Sequence, residues 1–145
     1  MPLKFAFASS FDNGSDVSLK HHSDLLTHVA VDWFTLVGVE QKLVEEPNEA
    51  LASFCTHKGL ALLPILRNID GNQWQSEAVE NLLKASPKEQ TAFFDHLFQR
   101  LPSSAIGLLV EWSEIDVTYR PEHTRFLTAL AAYLHDHHRE LWITI

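Results

Sequence analysis

The sequence predicts an α/β fold, a parallel sheet whose strands alternate with helices in the order β-α-β-α-β-α-β-α-β. Three observations carry this expectation. Apolar runs of strand length, such as Leu60–Leu66 and Ile106–Trp112, are nearly continuous in Ile, Leu and Val, as strands buried on both faces are. They are separated by stretches of helical period, such as Phe93, Phe94, Leu97, Phe98 and Leu101, and that alternation implies right-handed crossovers on one sheet. At 145 residues and 46% hydrophobic content, the chain can bury one core, so a single domain over 1–145 is expected.

Taken in order, Leu3–Ala8 reads as the first strand and Ser9–Ser15, rich in Ser, Asp, Asn and Gly, as a loop. Val17–Leu26 follows as a helix through Leu19, Leu25 and Leu26, and His28–Leu36 as the second strand. The next helix spans Glu45–Lys58, with Asn48 placed to cap it and Gly59 to end it. Leu60–Leu66 is the third strand, in which Pro64 is awkward for a central ladder unless it sits at a bulge. Arg67–Trp74 then reads as a loop and Ser76–Lys84 as a helix. A further helix opens at Ser86-Pro-Lys-Glu89, with a serine cap, a proline in the first turn and a glutamate three residues on. Ile106–Trp112 is the fourth strand, Pro121–His138 the last helix, packed through Phe126, Leu127, Leu130 and Leu134, and Leu141–Ile145 the fifth strand. This (β/α)4-β pattern amounts to about the first half of a TIM-type barrel, since a complete barrel takes about 250 residues and at least roughly 200.

Nineteen acidic residues against eleven basic ones give a net charge of −8, with the basic residues scattered, which argues against nucleic acid or an anionic membrane surface as a partner. The single cysteine, Cys55, rules out an intramolecular disulfide and reads as a small core residue. No apolar run has the length of a membrane span, so no direct insertion is expected, and the start of the chain lacks a signal peptide's charged and apolar regions. His135-Asp-His-His138 offers no His-x-x-x-His pair on one helical face, so neither a metal nor another cofactor is expected.

The stretch Ala105-Ile-Gly-Leu-Leu-Val-Glu-Trp-Ser-Glu-Ile-Asp116 concentrates the candidate chemistry, because an apolar strand ends there in carboxylates. The carboxyl ends of parallel strands are where such sheets keep their sites. On a strand, Leu109, Glu111 and Ser113 share one face and Val110, Trp112 and Glu114 the other.

Gly107-Leu-Leu-Val-Glu-Trp-Ser-Glu114 resembles the fourth-strand signature of the chitinase-like glycoside hydrolases of family 18, Asp-Gly-x-Asp-x-Asp-x-Glu. Aligned on Gly107 and Trp112, Ile106 and Leu109 stand where the first two aspartates would be. Glu111 replaces the third, and Ser113 occupies the place of the catalytic glutamate. Ser18-Leu-Lys-His-His22, Leu26–Leu36, Leu63–Asp70 and Phe126–Ile145 are similar, in this order, to family 18-like domains fused in bacteria to polysaccharide deacetylase and family 2 glycosyltransferase modules. The resemblance implies a barrel that meets a polysaccharide containing N-acetylglucosamine, in a bacterial protein associated with the cell envelope. In active members one glutamate protonates the leaving oxygen while the substrate's own N-acetyl group attacks. A serine hydroxyl at that place is too weak an acid, which implies a degenerate domain that binds or positions the polymer.

Around that implication the residues leave alternatives. Glu111 is a polar contact to a sugar, a remnant of the catalytic acid machinery, or a satisfied interior carboxylate. Glu114 could reach the place of the acid through a bulge, which would make the domain an active endo-glycosidase. Trp74 stacks on a sugar ring or folds over a helix end. Asp32, Asn68 and Asp70 contact sugar hydroxyls or make turns, and Tyr119 is a further candidate contact beyond the motif. Trp33 and Trp112 read as core. A third possibility is a structural module, because an open half barrel leaves its first and fifth strands as edges that invite a homodimer or the remaining barrel half.

Overall fold

The structure, a computed structural model, describes residues 2–9 and 13–145. Among the described residues the strands are β1 (Phe5–Ala8), β2 (His28–Val37), β3 (Lys42–Glu45), β4 (Ala61–Arg67), β5 (Ile69–Asp70), β6 (Gln73–Trp74), β7 (Gly107–Glu111) and β8 (Glu140–Ile143). The helices are α1 (Asn13–His21), α2 (Glu49–Lys58), α3 (Ser76–Lys84), α4 (Pro87–Arg100) and α5 (Arg120–Asp136). Along the main sheet the order β1-β2-β4-β7-β8 is parallel throughout, as the alternation of apolar runs and helices predicts, and β3 joins the same sheet antiparallel to β2.

Side chains of β2, β4 and β7 alternate between two apolar clusters. Val29, Val31, Leu62, Leu66, Leu108 and Val110 pack outward against helix residues such as Leu51, Leu82, Leu97, Phe126 and Leu130. Ala30, Leu63, Ile65 and Leu109 pack inward with Phe5, Ile106 and Trp142. Burial on both faces is why these strands read as unbroken apolar runs. Phe5 on one edge strand meets Trp142 on the other, edge to face at 5.1 Å. The sheet is therefore curled far enough for its two edges to touch across the inner face, the curvature of a barrel wall.

Local chemistry sets several boundaries. Asn48 Oδ1 accepts from the Leu51 amide at 3.1 Å, and Gly59 ends α2 with φ +70 in the left-handed region. Ser86 Oγ accepts from the Glu89 amide at 3.2 Å, with Pro87 in the first turn of α4. Gly107 allows β7 and β8 to approach, because a Cβ there would collide with the main chain of Glu140. Cys55 is fully buried in the outer cluster, and burial pushes its thiol up to about 11, so it stays protonated at neutral pH.

Four expectations are corrected. Glu45 is not helical; it ends β3, which pairs antiparallel with β2 after a turn at Gly38 and Gln41. Pro47 disfavours helix at the residue before it, so α2 starts only after the Asn48 cap. The first helix lies earlier than Val17–Leu26: Asn13–Ser15 are already helical, Leu25 is 61% exposed, and residues 10–12 of the expected loop lie outside the described residues. Pro64 sits in the central ladder opposite Val31, and the irregularity falls on the neighbouring strand, between Asp32 and Phe34. That bulge turns both Trp33 and Phe34 into the outer core and leaves Asp32 facing inward. Finally, Arg67–Trp74 is not one loop, since Arg67 completes β4 and β5 pairs with β6 as a small hairpin through Gly71.

Candidate functional site

The inward row that begins with apolar residues continues, at the carboxyl ends of the strands, into charged ones. Asp32 follows Ala30 on β2, Arg67 follows Ile65 on β4, and Glu111 follows Leu109 on β7, each two residues along its strand. Arg67 and Glu111 are direct neighbours in the β4–β7 register, and Thr35 is opposite Arg67 on the β2 side. Together with Phe7, Ala8, Ser9, Ile65, Ile69 and Trp74, the three charged residues line a cavity of about 330 Å³.

Arg67 organises this site. Its Nη1 donates to Asp32 Oδ2 at 3.1 Å and its Nε to Thr35 Oγ1 at 3.5 Å. The ion pair is nearly buried, with the two side chains 11% and 12% exposed. Arginine suits such a place because its planar fork donates in two directions at once. Glu111 lies at the rim, open to solvent on one side. Desolvation by its inner neighbours and the negative charge of Asp32 raise its carboxyl above the ordinary range, while Arg67 opposes that shift. Among the described residues Glu111 has no ion-pair partner.

Trp74, at the end of the β5–β6 hairpin, is 44% exposed and forms a wall of the cavity. Asp70 is exposed in the same hairpin, paired with Gln73, and does not line the cavity. Gln75 ties the hairpin's end back to the body: its amide donates to the Asn68 carbonyl at 2.7 Å, and its Oε1 accepts from the Gly38 amide at 3.2 Å.

Asn68 is not the expected sugar contact. It is fully buried, its Nδ2 donates to the Ser113 carbonyl and its Oδ1 accepts from the Ser113 amide, both at 2.9 Å. The side chain thus imitates a strand neighbour and holds the segment after β7 against the end of β4. Tyr119 is likewise misplaced for a cleft contact. It packs against the outer core, with Lys84 Nζ 5.7 Å from its ring centre. Trp33 is a core residue as the sequence reading has it, and Trp112 is half-buried against that core, 5.3 Å from the ring of Phe126.

Ser113 is exposed, fixed through its main chain rather than its hydroxyl. The register of β7 is regular as far as Glu111; Glu114 lies beyond the strand and takes φ +60, left-handed and unusual for a residue with a Cβ. Asp116 caps the short turn over Val117–Tyr119, its Oδ1 accepting from the Thr118 amide and hydroxyl, and these bonds hold its carboxyl below the usual range. Arg67 was not singled out by sequence reasoning, although the signal was the one used for Glu111: a charged residue directly after an apolar strand. Among the described residues, no group of three or more His, Cys, Asp or Glu side chains is placed to hold a metal ion.

No protein-family model and no curated protein matches the sequence. Solved structures do match by shape. A class V chitinase from Pseudomonas fluorescens Pf-5 superposes with a TM-score of 0.88 at 17% identity, over 100% of this chain and 45% of that one. The fold is about half of a chitinase-type barrel. The spore cortex-lytic enzyme SleL from Bacillus megaterium QM B1551 gives 0.82 at 13% identity, over 99% and 35%. Catalytic domain 2 of a Group II chitinase from Ostrinia furnacalis, solved in complex with the chitooligosaccharide (NAG)5, gives 0.73 at 15% identity, over 99% and 43%. The chain spans less than half the length of these structures. Among the described residues, no helix is long and apolar enough to cross a membrane.

Proposed function

We propose that this domain binds or positions an N-acetylglucosamine-type polysaccharide at the carboxyl ends of its strands, without cleaving it. The observation that carries the reading is the cavity between Asp32, Arg67, Glu111 and Trp74, an exposed indole beside fixed polar groups at the end of a barrel wall. Sugar sites combine these elements, an aromatic face for the ring and oriented polar atoms for the hydroxyls. That the neighbours in shape include chitinases, one solved with (NAG)5, supports the choice of polymer. The absence of cleavage follows from the resemblance, which puts Ser113 where the acid belongs. On this reading 1–145 is one partial-barrel domain of a larger polysaccharide-processing assembly at a bacterial cell envelope, completed by the remaining barrel half or a second copy along β1 and β8.

The left-handed backbone at Glu114 favours a second reading, because strain of this kind collects at functional positions. There Glu114 acts as the acid of an endo-glycosidase. One experiment separates the two: an NMR titration with N-acetylglucosamine oligomers, following the amides of 68–74 and 111–119, with the same samples assayed for cleavage. Saturable shifts without new reducing ends are expected. Cleavage that disappears in Glu114→Gln would replace the first reading with the second, and no shifts at millimolar ligand would refute binding by this chain.

A further inference from the structure

We propose that the sugar unit seated in the cavity carries a free amine, so that the preferred ligand is a de-N-acetylated glucosamine oligomer whose ammonium lies against Glu111. The inference rests on the carbohydrate-binding reading above and narrows it to a substrate class.

The charge arrangement of the inner face carries it. Among the described residues, three charged side chains line the cavity, two carboxylates and one guanidinium. The guanidinium of Arg67 is engaged at 3.1 Å by Asp32, and that pair is almost out of solvent. Glu111, the second carboxylate, borders the same space with no ion-pair partner among the described residues. The lining as described therefore holds one negative charge more than it offsets, and holds it at the mouth, where a ligand enters.

A neutral acetamide does nothing for that charge. An ammonium on the sugar ring supplies what is missing, a compact cation with three donors on a scaffold that also presents a C–H face to Trp74. The half-exposed indole favours the same ligand twice, through contact with the ring and through attraction of a nearby cation to its π-face. Desolvation and the charge of Asp32 already make ionisation of Glu111 costly, and an arriving ammonium reverses that cost. Farther out, a chain of net charge −8 raises the local concentration of a cationic oligomer.

The test is calorimetric titration of the 145-residue protein with two tetramers of glucosamine, one fully N-acetylated and one fully de-N-acetylated, at a mildly acidic pH where the amines are protonated. A partly exposed charge pair contributes up to about 1 kcal/mol, so the free-amine tetramer is expected to bind about fivefold tighter at low salt. That preference should shrink with added salt and collapse in Glu111→Gln. It should survive Glu49→Gln, which removes one exposed carboxylate far along the chain on α2. Equal affinities for the two tetramers would overturn this inference and leave the carbohydrate reading standing. Binding of neither would refute both, and a preference that persists in Glu111→Gln, or falls equally in Glu49→Gln, would assign it to overall charge and overturn the cavity's role.

Discussion

The inner face of the sheet has two ends built from the same strands with opposite chemistry. At the amino ends, His28 stacks on Phe5 at 4.6 Å and lies 5.8 Å from Trp142, while its Nδ1 meets the Thr27 hydroxyl at 2.8 Å. Its neighbours there are apolar and aromatic, and they close the face by contact between the two edge strands. At the carboxyl ends the same inward row carries Asp32, Arg67 and Glu111, and the face opens into a cavity. Charged groups retain water and hold one another at fixed distances, whereas rings pack until no space is left. The difference teaches that one end of this wall supplies stability and the other supplies a place for a ligand.

The strongest way to break that division is Arg67→Ala. Removing one partner of a nearly buried ion pair leaves the other carboxylate desolvated without its 3.1 Å partner, a loss of about 3 kcal/mol by the usual cost of such deletions. Denaturant unfolding should register that loss, and oligosaccharide shifts in the NMR titration should vanish with it. Trp142→Ala at the other end should also lower the denaturation midpoint, yet keep the shifts at 68–74 and 111–119. If Trp142→Ala abolished binding as fully as Arg67→Ala, the two ends would not be separate.

Asn68→Ala sharpens the comparison at a smaller scale. It strips both main-chain groups of Ser113 of their partner and should cost about 2 kcal/mol, within the range for buried polar groups left unsatisfied. Its specific signature is geometric: amide shifts should spread over 111–116, because the clamp fixes where β7 releases the chain. Asn68→Asp keeps an acceptor for the Ser113 amide but sets a carboxylate against the Ser113 carbonyl, so it should not restore stability. Rescue by aspartate would mean that only one of the two hydrogen bonds matters.

These side chains also mark what the sequence could and could not disclose. Strands and helix caps were legible because their causes are local: unbroken Ile/Leu/Val runs, Asn48, Gly59 and the Ser86 cap each act within a few residues. β3 and the β5–β6 hairpin were not, since elements of two to four residues carry too little period to read. The role of Asn68 depends on a partner 45 residues away and on a register that no local pattern specifies. Tyr119 lies beyond the acidic motif in sequence, but the turn capped by Asp116 takes it to the helix side of the sheet. Glu111 was legible from the two-residue strand period alone, and Arg67 obeys the same rule.

The smallest effect is the most diagnostic, because its size changes with pH. In the unfolded chain Glu111 titrates near the ordinary value of 4.5, and in the folded chain its pKa is higher. Below the lower value both states hold the proton and Glu111 contributes nothing. As the pH rises, the unfolded chain releases its proton first, so the folded state loses stability across the interval up to the folded pKa and keeps that deficit at neutral pH. Glu111→Gln should therefore stabilise the protein at neutral pH, by a few tenths of a kcal/mol once solvent screening at the rim is counted, and have no effect in acid. Denaturation midpoints of both proteins along a pH series would read it directly. A bound ammonium should erase the difference, because it adds to the compensation for ionised Glu111 that Arg67, engaged with Asp32, supplies only in part. Stabilisation that is the same at every pH would instead point to a packing effect of the amide, with no charge strain at the mouth of the cavity.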